Sequence, residues 1–159
     1  MALCGVRVGV DMSKISAENY AGDVSAKEAW EAIRQSADAL LVDVRSKAEW
    51  VYVGVPVLAG VGKQAMLIEW NDFATGTAVP DFVGRLKAAL AESGLSDDAP
   101  LYFLCRSGNR SKNAAIAATA AGHKQCFNIE FGFEGLLDSQ KHRNTSGSWK
   151  AEGLPWEQS

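Results

Sequence analysis

The chain has 159 residues, 47% of them hydrophobic and 22% charged, with a formal net charge of −3. That is the balance of an ordinary soluble protein long enough to bury a substantial core, and it argues against a broad nucleic-acid footprint. Three cysteines (Cys4, Cys105 and Cys126) without Cys-x-x-Cys spacing, with only His123 and His142 to assist, argue against a disulfide framework and against a zinc site.

The stretch from Met1 to Asp11 is apolar but interrupted by Arg7, and no basic segment precedes it, so a secretory signal is not expected. No run approaches membrane-spanning length. The expectation is a cytoplasmic protein with no membrane association. Residues 1–20 carry no clear periodicity and read as an N-terminal lead-in segment, with residues 21–159 as a single domain. Ser25 and Glu28 form a capping-box pattern ahead of a helix with Ala26, Ala29, Trp30 and Ile33 on one face. Residues 39–42 follow as a buried strand ending at Asp43-Val44-Arg45. Ser46 and Glu49 repeat the capping-box spacing before a short helix through Trp50.

Residues 65–68 are a third apolar run, and 70–80 form a loop whose glycine and small residues permit motion. An amphipathic helix is expected from Asp81 to about Ser93, with Phe82, Val83, Leu86 and Leu90 facing inward. Leu101 to Leu104 reads as a short buried strand, Arg110 to Ala121 as a helix, and Cys126 to Ile129 as another strand. The polar tail 140–148 leads to Gly153-Leu154-Pro155-Trp156, which is expected to tack the C-terminus down. Strands alternating with helices predict an α/β fold: a mainly parallel central sheet with helices on both faces. In such sheets ligands bind beyond the carboxyl ends of the strands, where Asp43, Arg45 and Cys105 all fall.

Cys105 opens the loop Cys105-Arg106-Ser107-Gly108-Asn109-Arg110 between a strand and a helix. Unpaired N–H groups and the helix dipole create positive potential there, which favours a thiolate. A lone cysteine after an apolar strand is otherwise a buried, inert residue. Two arginines flanking Ser107 and Gly108 do not suit a core, and glycine lets backbone approach a ligand. The pattern points to a nucleophilic cysteine in an anion-binding cradle.

These residues, in order Asp43-Val44-Arg45, Glu49-Trp50, Cys105 to Ser111, Gly132-Phe133-Glu134-Gly135 and Gly153 to Trp156, closely resemble a single-domain rhodanese, a sulfurtransferase family. The resemblance runs from about Val24 to Trp156. It implies a rhodanese-like α/β fold in which Cys105 takes a sulfane sulfur and becomes a persulfide. It also implies that the N–H groups of Arg106, Ser107, Gly108, Asn109 and Arg110 cradle that sulfur, and that the arginines favour a small anionic donor such as thiosulfate. Asp43 and Arg45 resemble a pair that braces the loop. The sulfur acceptor would be a thiol, cyanide or a protein, and no cofactor or metal is implied. Two departures stand out: Gly54-Val55-Pro56 replaces the Gly-His-Ile of many members, and Phe131 occupies the first of a usual glycine pair.

Loop length separates two chemistries. Cysteine phosphatases and arsenate reductases place five residues between Cys and Arg, whereas Arg110 follows Cys105 after only four. The shorter loop makes a tighter cradle, suited to a sulfur atom and small for a tetrahedral phosphoryl group. The leading expectation is a sulfurtransferase, acting as a monomer or a homodimer. The alternatives are a phosphatase or arsenate reductase, and a rhodanese-like relay or interaction module with little turnover. Among single residues, Arg106 is the expected donor contact, and Arg110 either contacts the donor or braces the loop. Asp43 and Arg45 are read as structural, Asp43 pairing with a loop arginine or capping an exposed N–H. Trp50 and Trp70 read as packing residues with a pocket role as the alternative. Cys126 reads as a buried strand residue, with resolution of the persulfide as the alternative, and Cys4 as incidental.

Overall fold

Both capping boxes form. In the computed structural model, which describes residues 19–159, Ser25 accepts from the Glu28 N–H while the Glu28 carboxylate accepts from the Ser25 N–H, opening helix α1 (Ala26–Gln35). Ser46 and Glu49 do the same for α2 (Lys47–Tyr52). Most of the expected lead-in, including Cys4, lies outside the described residues. Tyr20, at its end, is buried in the core.

The central sheet has the order β1-β6-β5-β2-β4, every pairing parallel, from β1 (Gly22–Val24), β2 (Leu40–Asp43), β4 (Met66–Leu67), β5 (Leu101–Leu104) and β6 (Cys126–Ile129). Parallel strands need helical crossovers that cover both faces, which explains why β2 and β5 are apolar almost without interruption. Their side chains alternate between two cores. Leu40, Val42, Leu101, Phe103 and Cys105 pack under α3 (Phe82–Glu92) and α4 (Asn109–Ala120), through Leu86, Leu90, Ala114, Ala115 and Ala118. Leu41, Tyr102 and Leu104 face α1 through Ala29 and Ile33, with Phe133 and Trp149 completing that side. Each large side chain buried this way contributes about 1.5–3 kcal/mol.

Helix α3 begins at its Asp81 cap and buries Phe82, Leu86 and Leu90, while Val83 is only partly buried. The 70–80 loop is tied across itself by a bridge between Asn71 and Ala78. The C-terminal tack is a strand: β7 (Trp156–Glu157) pairs antiparallel with β3 (Val55–Pro56), and Leu154 is buried. No helix among the described residues is long and apolar enough to cross a membrane.

Candidate active site

Cys105 sits one residue beyond the carboxyl end of β5, and α4 begins four residues later. The turn between them depends on Gly108, which caps α4 at φ 112°, a conformation that L side chains rarely adopt. Gly108 has no side chain to cap the helix, whose first-turn N–H groups lie at the loop. The Gly108 N–H donates to the Cys105 Sγ at 3.1 Å, and the Ser111 Oγ lies 3.1 Å from the same sulfur. Cys105 is 1% exposed. The sulfur therefore rests in a narrow polar socket at the mouth of a helix.

The candidate loop residues divide by exposure. Arg106 and Asn109 are exposed, while Ser107, Gly108 and Arg110 are half-buried. Arg106 makes no ion pair among the described residues. Arg110 is paired: its Nη1 and Nη2 donate to the two Glu49 oxygens at 2.7 and 2.9 Å. Of the two roles open to Arg110 from sequence, this geometry is that of a brace joining the loop's helix to α2. Burial alone would push the Glu49 carboxyl up, but the hydrogen bonds and charge of Arg110 and the donors of Ser46 outweigh it, holding it at about 2.

Asp43 pairs with Arg45 rather than with a loop arginine. It accepts from the Arg45 backbone N–H, Nε and Nη2, at 3.1, 2.9 and 2.6 Å, with both side chains fully buried. Three hydrogen bonds offset the desolvation such a pair suffers. Arg45 also donates to the Gly54 carbonyl and lies 4.2 Å over the Phe133 ring. Phe133 in turn donates its N–H to the Cys105 carbonyl, and the Glu134 and Gly135 N–H groups reach the Arg106 carbonyl. Asp43 and Arg45 thus act on the loop at one remove, by holding the strap 132–135 that clasps its backbone.

That strap needs its glycine. Phe131 and Gly132 are consecutive left-handed residues, at φ 68° and 58°. A Cβ on Gly132 would overlap the carbonyl oxygens of Cys105 and Arg106.

Other sequence candidates fall away from the site. Trp70 packs edge-on against Phe82 in the core. Cys126 pairs in register with Leu101, at the opposite end of β5 from Cys105. Four strand residues span about 13 Å, beyond the reach of a disulfide. Burial pushes the Cys126 thiol up to about 11. Among the described residues, no cluster of three or more His, Cys, Asp or Glu side chains could hold a metal. Three further residues join the candidate site beyond those expected from sequence. Glu49 has a sufficient local role as a helix cap, Ser111 lies within the helix yet reaches the Cys105 sulfur, and Asn128, 2.6 Å from Ser111, is a polar residue in an otherwise apolar strand.

The model of the rhodanese-like domain matches residues 25–139. A Rickettsia rickettsii protein, named as a homolog of RP600, is 33% identical over 135 residues, covering 85% of this chain and 96% of its own length. The crystal structure of Rv0390 from M. tuberculosis is 42% identical with a TM-score of 0.78, covering 88% of this chain and 99% of that one. The polysulfide-sulfur transferase homodimer of Wolinella succinogenes shares the fold, at 23% identity and a TM-score of 0.58, over 94% of this chain and 87% of its own. The chain belongs to the rhodanese-like domain family.

Proposed function

We propose that the protein is a sulfurtransferase that carries sulfane sulfur as a persulfide on Cys105. The observation that carries this reading is the Cys105 sulfur held at 3.1 Å by the Gly108 N–H inside a loop with only four residues between Cys105 and Arg110. In the first step the Cys105 thiolate attacks the outer sulfur of the donor. A new S–S bond forms, the donor's own S–S bond breaks, and its electron pair leaves with the remainder, sulfite when the donor is thiosulfate. In the second step cyanide or a thiolate attacks the terminal sulfur, and Cys105 leaves again as thiolate. The two displacements need no external oxidant or reductant.

Arg106 is the group that draws in an anionic donor, because Arg110 is neutralised by Glu49 and Arg45 by Asp43. Loop N–H groups of Ser107, Gly108 and Asn109 stabilise the sulfur anion. That the Wolinella neighbour is a polysulfide-sulfur transferase supports sulfane sulfur as the cargo. A working thiol suits the reducing cytoplasm. A second reading, a relay fed by a partner's persulfide, is favoured by the same charge pairing, which among the described residues leaves Arg106 as the unpaired loop arginine to select a free dianion. The test is turnover of thiosulfate with cyanide beside hydrolysis of an aryl phosphate. Sulfur transfer that disappears in Cys105→Ser, without phosphate hydrolysis, supports the assignment; Cys105-dependent phosphate hydrolysis replaces it.

A further inference from the structure

Behind Cys105 a chain of polar side chains runs across the sheet. Ser111 Oγ lies 3.1 Å from the Cys105 sulfur and 2.6 Å from Asn128 Oδ1. Asn128 Nδ2 donates to Asp23 Oδ1 at 3.0 Å, and the Tyr20 hydroxyl donates to that same oxygen at 2.7 Å. A carboxylate only accepts, so Asp23 fixes the amide with its NH2 towards β1 and its carbonyl towards Ser111. Ser111 and Asn128 are both buried.

A serine hydroxyl has one proton to give. Ser111 cannot donate to the Cys105 sulfur and to Asn128 Oδ1 together. With Cys105 as a thiol, every position closes: S–H donates to Ser111, and Ser111 donates to Asn128. Once that proton has left to solvent, Ser111 stabilises the thiolate only by turning its proton to sulfur. Asn128 is then left with a buried carbonyl lacking a donor, which is unfavourable.

We infer that Asn128 is a positioning residue that competes with the Cys105 sulfur for the Ser111 proton and so sets the pH at which the nucleophile becomes reactive. The charged groups around this end of the sheet are Arg106 on the loop, Arg110 and Lys112 on α4, Asp43 at the end of β2 with Arg45 paired to it, Glu49 on α2 and Asp23 on β1. Only Asp23 is altered by the test below. The inference rests on reading Cys105 as the nucleophile, yet its readout needs no sulfur transfer.

The experiment follows the rate of Cys105 alkylation by iodoacetamide against pH, read from the mass of the Cys105 peptide. Asn128→Leu should move the midpoint down by about one pH unit, the size expected when one buried hydrogen bond changes hands. Asp23→Ala, at an exposed side chain, should move it the same way, because the released amide can turn its NH2 towards Ser111. In a Ser111→Ala background neither change should move the midpoint, whereas a simple charge effect of Asp23 would persist. An unmoved or raised midpoint in either folded variant overturns the inference, as does an undiminished shift without Ser111. If Asn128→Leu does not fold, Asp23→Ala decides alone. The predicted shifts in a protein that never carries sulfur would overturn the sulfurtransferase reading and leave the role of Asn128 standing.

Discussion

Arg110 and Glu49, 61 residues apart in sequence, meet in a two-point ion pair at 2.7 and 2.9 Å. The pair locks the first turn of α4 to the cap of α2, and with it the loop that carries Cys105. Glu49→Gln should destabilise the protein by about 2 kcal/mol at neutral pH. That is less than the loss for a fully buried pair, because Arg110 remains 22% exposed. Urea midpoints of the two proteins measure it.

The same pair sets an acid limb. Glu49 in the folded protein titrates at about 2, below the ordinary 4.5. A depressed carboxyl stabilises the fold above its unfolded value and loses that contribution as pH falls from 4.5 through about 2, here on the order of 3 kcal/mol. Thermal melts from pH 7 to pH 2 should fall steeply in wild type across this window and more gently in Glu49→Gln.

His123 should give a second, milder limb. Burial and the nearby Lys87 charge pull its imidazole below the usual 6.5, outweighing Asp97, and neither ring nitrogen has a hydrogen-bond partner among the described residues. A depressed histidine is carried neutral, so stability is lost as pH falls below 6.5, where the unfolded chain takes the proton first. Melting temperature at pH 7 and pH 5 should differ less in His123→Leu than in wild type.

Gly132→Ala should loosen the strap beneath the loop. The left-handed backbone and the overlap with two carbonyl oxygens together cost about 2 kcal/mol or more. Because the Phe133, Glu134 and Gly135 N–H groups hold the Cys105 and Arg106 carbonyls, sulfur transfer should fall further than the loss of folded protein explains. Comparing turnover with the folded fraction by circular dichroism separates the two effects.

Arg106→Ala should raise the KM for thiosulfate by about tenfold, the loss of one exposed charge-assisted contact, with a smaller change in kcat. Cys126→Ser should leave transfer intact, since Cys126 lies at the far end of its strand. Steady-state kinetics on both variants tests this division of labour between the cysteines and the loop arginines.

What the residues disclose in advance is whatever a short window determines. Ser25 with Glu28, Ser46 with Glu49, and the strand–Cys105–helix junction are local patterns, and each forms where the pattern lies. Strands β1, β3 and β7 are two or three residues long and owe their existence to distant pairing partners, so no window announces them. The site divides the same way. Cys105 and its loop were legible, while the partner of Arg110 was hidden because Glu49 already had a sufficient local role. The partner of Asp43 lay two residues away rather than on the cysteine loop.

The central claim is a persulfide on Cys105, and intact mass after incubation with thiosulfate tests it most directly. The account predicts a gain of one sulfur on the wild-type protein, discharged by cyanide and absent from Cys105→Ser. A wild type that gains no sulfur from thiosulfate or from a persulfide donor, or an equal gain on Cys105→Ser, would contradict it.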